Sequence, residues 1–218
     1  MTKEERIKRY ILFIISLFFA ALGVAFTKRG ELGVSPISSV ANVLSYKFEF
    51  FSLGSWLIIW NCVLIVGQVL ILRRQFQPIQ LLQVPLSFLF GWFTDFGMWI
   101  TSFITADIYW VRLALVFIGV IILGFGISLS VIANVIMNSG EAFVKAISDK
   151  VHREFGNVKI AFDIICVILS VVLSLAFFDF TIVGAREGTV ISALLTGVVV
   201  KIFCKLLRRP LEAAWASC

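Results

Sequence analysis

Six apolar runs of close to 20 residues each recur along this 218-residue chain, at 10–27, 53–72, 79–98, 111–132, 160–178 and 189–207. A hydrocarbon core roughly 30 Å thick is crossed by about 20 helical residues. A backbone exposed to lipid must also satisfy its own hydrogen bonds, which leaves helices as the spanning element for runs of this length. The expected fold is therefore an all-α polytopic membrane protein with about six transmembrane helices. Composition agrees: 60% hydrophobic residues, 22 of them Phe, exceed what one soluble core of this size buries. The first run follows several basic residues, as in a secretory leader. Its counterpart later in the chain marks it instead as a retained span.

The net charge of +6 is distributed by topology. With a cytoplasmic N-terminus, 14 of the 19 basic residues fall on inner segments, which places both termini in the cytoplasm by the positive-inside rule. Trp99, Tyr109 and Trp110 fit an outer aromatic belt. The basic balance is accordingly no nucleic-acid footprint. The four cysteines, Cys62, Cys166, Cys204 and Cys218, show no CxxC spacing, so neither a disulfide nor a metal site is expected. The one histidine, His152, has no ligand partner at metal spacing, and HExxH, Walker-type, GxGxxG and GxSxG signatures are missing. The chain reads as a non-enzyme without cofactors.

The chain also resembles itself. ALGVAF (21–26) resembles LGFGIS (123–128), and GVSPISSVANVLS (33–45) sits where MNSGEAFVKAISD (137–149) sits, with Ser35-Pro36 against Ser139-Gly140 at an offset of 104. GSWLIIWN (54–61) matches GNVKIAFD (156–163) at 102, and Gly91 matches Gly197 at 106, which also sets Asp95 against Lys201. Four anchors in one order indicate a duplication. Each half, 1–108 and 109–218, carries three spans, an odd number, so the halves would form an inverted repeat within one integral membrane domain.

The second match covers two short polar stretches that cannot span. Ser35 with Pro36, and Ser139 with Glu141 close behind, are helix-start signals. Each stretch is either an interfacial amphipathic helix or a re-entrant half-helix.

The six-span duplication, GVSPISSVANVLS, the helix starts FSLGSWLIIWN and FGNVKIAFD, and REGTVISALLTG opening the last span resemble the YczE/YyaS/YitT family of bacterial membrane proteins. The resemblance covers nearly the whole chain and implies a bacterial inner-membrane protein, in a family often labelled as transporters. It supplies no substrate residues.

Residues with chemistry are few. Asp163 and its counterpart Asn61 lie within spans, where inverted-repeat transporters place substrate and coupling ions. The other reading of Asp163 is an i,i+4 pair with Lys159 near the inner interface. Glu141 either binds a cation or proton at a half-helix N-terminus or caps a solvated cytoplasmic helix; the frequency of capping acids favours the cap. Ser35, Ser38, Ser39 and Asn42 in the first copy and Asn138 in the second are further substrate or ion candidates, with Lys28 and Arg29 placed to help receive an anion. Those side chains could equally serve local backbone. Arg186 and Glu187 are gating candidates, or a plain surface pair. Gln68, Gln80 and Gln83 suit interhelical hydrogen bonds, and Gly23, Gly67, Gly91, Gly124, Gly126 and Gly197 suit close helix approach. Pro85 is expected to kink the third span.

The leading expectation is a small secondary transporter or permease for a small or amphipathic organic solute. The alternative is a non-transporting accessory or regulatory protein that binds a partner through 139–157 and its basic tail. A bundle this small is also compatible with a homodimer.

Overall fold

The computed structural model describes residues 3–216; Cys218 lies outside the described residues, as do the side chains of Lys3, Arg209 and 212–216. Among the described residues eight α-helices follow in order: α1 (Lys3–Arg29), α2 (Pro36–Lys47), α3 (Leu53–Leu72), α4 (Gln83–Ile100), α5 (Tyr109–Ala133), α6 (Ser139–Val151), α7 (Phe155–Phe177) and α8 (Glu187–Ala216). Among the described residues the only β feature is an isolated bridge between Gly33 and Ala185. The protein is all-α.

Among the described residues, five stretches are long and apolar enough to cross a membrane: Glu4–Arg29, Leu53–Gln75, Tyr109–Ala133, Phe155–Phe177 and Glu187–Arg208. The third run of the sequence becomes α4, which has 18 residues and carries Gln83, Ser87, Thr94 and Asp95, so its apolarity falls below that of the others. Pro85 falls at the start of α4 and not inside the span. The proline sits in the first turn, where its missing N–H has no intrahelical partner to lose.

Local sequence explains the helix ends. Ser52 caps α3 by accepting from Ser55 N. Pro36 occupies the first position of α2, where a fixed φ suits the helix. Asn134 and His152 end α5 and α6 in the left-handed region.

Helices α1 and α5 form the antiparallel central pair. Their approach depends on glycine: a Cβ at Gly23 would lie 2.7 Å from Leu123 Cα, and one at Gly126 would lie 2.9 Å from Ala20 Cα. Helix α4 packs on α1 and α8 packs on α5. Each short helix crosses to the other half, α2 onto α7 and α6 onto α3.

One end of the bundle holds the start of α1 and the end of α5, where Arg9 Nη1 donates to Ala133 O at 3.1 Å. The other end holds the ends of α1, α2, α4 and α7. There Arg29 Nη2 donates to Met98 O at 2.7 Å, and Lys47 Nζ donates to Phe177 O at 3.0 Å. The outer faces of α7 and α8 expose Ile164, Ile168, Val172, Leu194, Val198 and Ile202, a surface suited to lipid.

Candidate functional site

The two short helices decide where chemistry can occur. Helix α2 buries Pro36, Ser38 and Ser39 at its first turn, and α6 buries Ser139 and Gly140. These two starts meet: a Cβ on Gly140 would lie 2.9 Å from Ile37 Cδ1. Both helices therefore begin inside the bundle and run outward to opposite ends. The reading of α6 as a solvated surface helix is corrected by this placement. A carboxylate that would cap a helix in water instead stands at a helix start facing an interior space.

That space is a cavity of about 110 Å³. Ser35, Ile37 and Ser38 of the first copy line it, as do Asn138, Ser139, Gly140 and Glu141 of the second. Trp60 and Asn61 of α3, Gln83 and Ser87 of α4, and apolar side chains such as Phe13 and Phe90 complete the wall. Successive N–H groups at two helix starts, each with the positive end of a helix dipole, converge on one volume.

The expected capping bonds are replaced by others. Ser35 is the residue before α2, yet its hydroxyl donates to Ser38 Oγ at 3.0 Å and caps nothing. Asn138, not Ser139, precedes α6, and the Ser139 hydroxyl pairs with Ser87 Oγ at 3.1 Å. The starts of both short helices thus keep backbone donors that their own side chains do not satisfy.

Glu141 is partly buried, and among the described residues no hydrogen bond or ion pair is found for its carboxylate. Burial pushes its carboxyl above the usual range, with Lys159 pulling it down and Asp163 pushing it up. Lys159 and Asp163 form the expected i,i+4 pair on α7, Nζ to Oδ1 at 2.6 Å, and Asp163, unlike its counterpart Asn61, does not line the cavity. Lys159 and Asp163 act electrostatically on the Glu141 carboxyl, but neither lines the cavity.

Other candidates are structural. Asn42 is fully used: its Nδ2 donates to Gly184 O and its Oδ1 accepts from Lys28 Nζ, both at 2.7 Å. Ser39 is buried and donates to Pro36 O at 2.6 Å. Lys28 also donates to Ser45 Oγ at 3.2 Å and lies over the Tyr46 ring, while Arg29 is held by Met98 O, so neither reaches the cavity. Arg186 and Glu187 pair with each other at 3.3 Å on an exposed turn, away from the cavity lining. The glycine expectation holds for Gly23, Gly67, Gly91, Gly124 and Gly126, whose space is taken by neighbouring atoms, and fails for Gly197, which has none within 4 Å.

Three cavity residues escaped the sequence reading. Ser87 and Trp60 carry no signal of their own in the apolar runs that hold them, and Gln83 is expected only as an interhelical hydrogen bonder. Gln83 does pair with buried Gln68, Nε2 to Oε1 at 3.3 Å. The Trp60 Nε1 is buried without a partner. The match of Trp60-Asn61 to Phe162-Asp163 was the available signal.

No curated protein and no solved structure matches the chain. Residues 7–205 match a family described as of unknown function, DUF6198, so the chain belongs to that family.

Proposed function

We propose that the chain is a secondary transporter of a small or amphipathic organic solute, built as two inverted repeats, 1–108 and 109–218, in a bacterial cell membrane with both termini in the cytoplasm. The observation that carries this reading is the meeting of two helix starts, Ser35–Ser38 and Asn138–Glu141, around one interior cavity. Transporters made of inverted repeats bind their cargo where interrupted helices present such ends.

Packing supports the repeat. With one residue of shift from the match at 21–26, adding 103 to Gly23 gives Gly126 and adding 103 to Ala20 gives Leu123, so the contact of Gly23 with Leu123 becomes that of Gly126 with Ala20. Such exchange is what a two-fold relation between α1 and α5 requires. The excess of basic residues on the segments assigned to the cytoplasm supports the orientation. Resemblance to the YczE/YyaS/YitT family supports the bacterial setting.

In this reading the aromatic and aliphatic wall receives the apolar part of the solute, and Ser38, Asn61 and Ser139 orient its polar group. Glu141 takes up and releases the coupling proton, because two carboxyls beside one ammonium hold a net negative charge that one proton neutralises.

Thermal-shift screening of the purified protein against a library of organic acids, amines and sugars tests the reading, followed by uptake of each stabilising solute into proteoliposomes. Wild type should be stabilised by at least one solute and accumulate it, and Asn61→Leu should lose both effects. A solute that stabilises wild type and Asn61→Leu equally, without entering vesicles, would overturn the site and favour the accessory-protein alternative.

A further inference from the structure

The two halves differ at one interface. In the first half, α3 and α4 are zipped together. A Cβ on Gly54 would lie 2.6 Å from Asp95 Cγ, and one on Gly91 would lie 2.6 Å from Gly54 O and 2.5 Å from Ile58 Cγ1. Asp95 closes the zipper by accepting from Gly54 N at 2.8 Å and from Ser52 Oγ at 2.6 Å.

The second half carries the same parts. At an offset of 102, Ser52, Gly54 and Ile58 become Glu154, Gly156 and Ile160. At 106, Gly91 and Asp95 become Gly197 and Lys201. Here the parts are not joined. Gly156 and Gly197 have nothing within 4 Å, and Ile160 is 61% exposed. Glu154 and Lys201 are exposed, and no ion pair joins them among the described residues. Helices α7 and α8 make no extended contact.

Two features indicate that these parts close on each other. The hydrogen-bonded pair Ser52 and Asp95 is replaced by Glu154 and Lys201, a pair of opposite charge. Independently, α8 carries three buried hydroxyls without partners, Thr189, Ser192 and Thr196. Their α4 counterparts at 106 are Gln83, Leu86 and Phe90, which line the cavity. Zipping α3 to α4 turns that face of α4 to the cavity; zipping α7 to α8 turns the hydroxyl face of α8 to it.

We infer that the protein has a second conformation in which α8 closes on α7 through Gly156, Gly197 and a Glu154–Lys201 ion pair while α4 leaves α3. This rests on the transporter reading for its role: the exchange moves the cavity wall from α4 to α8 and with it the end from which the cavity is reached.

Two cysteine pairs in a Cys-free chain test it, Ser52→Cys with Asp95→Cys and Glu154→Cys with Lys201→Cys, oxidised in membrane vesicles. Both disulfides should form within single chains, and Gly197→Val should abolish the second while leaving the first. A 154–201 disulfide that fails while the 52–95 disulfide is complete, that joins two copies, or that survives Gly197→Val overturns the inference. A third cysteine, Ser38→Cys, probed with a membrane-impermeant maleimide, separates this from the transport reading. If the reactive membrane side switches between the two locked forms, both stand. If both locks form and Ser38→Cys reacts from neither side, the two conformations stand and the transport reading falls.

Discussion

Replacing Gly126 by Ala should destabilise the protein, whereas the same change at Gly197 should not. A Cβ at position 126 would lie 2.8 Å from Ser16 O and 2.9 Å from Ala20 Cα, both backbone atoms of α1. Ordinary carbon contacts need roughly 3.5–4.0 Å, so α1 and α5 must separate by about 1 Å at their crossing. Overpacking of this kind costs about 1–3 kcal/mol. Alanine returns up to about 1 kcal/mol of helix propensity, which leaves a net loss of up to about 2 kcal/mol. Gly197 has no neighbour within 4 Å, so only the propensity gain remains there. Reversible unfolding in mixed micelles, followed by tryptophan fluorescence, reads both changes. Gly126→Ala as stable as wild type, or Gly197→Ala equally destabilised, would refute the packing argument.

Removing the Asp95 carboxylate should free the start of α3, because Gly54 N and Ser52 Oγ both donate to it; Asp95→Ala should cost about 2 kcal/mol in the same assay. Gln68 and Gln83 satisfy each other in a buried site, so Gln68→Leu or Gln83→Leu alone should cost about 1 kcal/mol and the double variant less than their sum. Glu141 should make stability fall with pH. Its carboxyl titrates above the ordinary 4.5 in the folded state, so the folded protein binds the proton more tightly than the unfolded one. That advantage is complete below 4.5 and is lost as pH rises through the raised value. Thermal unfolding of Glu141→Gln across the same range should lack that decline.

Five of the six expected spans were legible because lipid demands long apolar runs, and the two short helices because Ser35-Pro36 and Ser139-Gly140-Glu141 announce helix starts. Their depth was not legible. A short polar helix has the same sequence signals whether it floats at an interface or begins inside a bundle, so Glu141 read as a solvated cap. Only packing against Ile37, Ser87 and α3 distinguishes the two. Lys28 and Arg29 were near Ser35 in sequence, yet Asn42 and Met98 O hold them elsewhere. The repeat alignment paired Gly91 with Gly197 without revealing that one glycine is packed and the other open, because a duplication specifies equivalent parts and not equal conformations.

The most direct test of the account is whether the starts of α2 and α6 meet inside the bundle. Cysteines at positions 37 and 140, made by Ile37→Cys and Gly140→Cys in a Cys-free chain, should form an intramolecular disulfide on mild oxidation in native vesicles. Free labelling by an impermeant maleimide of position 37 from one side and of position 140 from the other, with no disulfide, would place both helices on opposite surfaces and contradict the shared interior site.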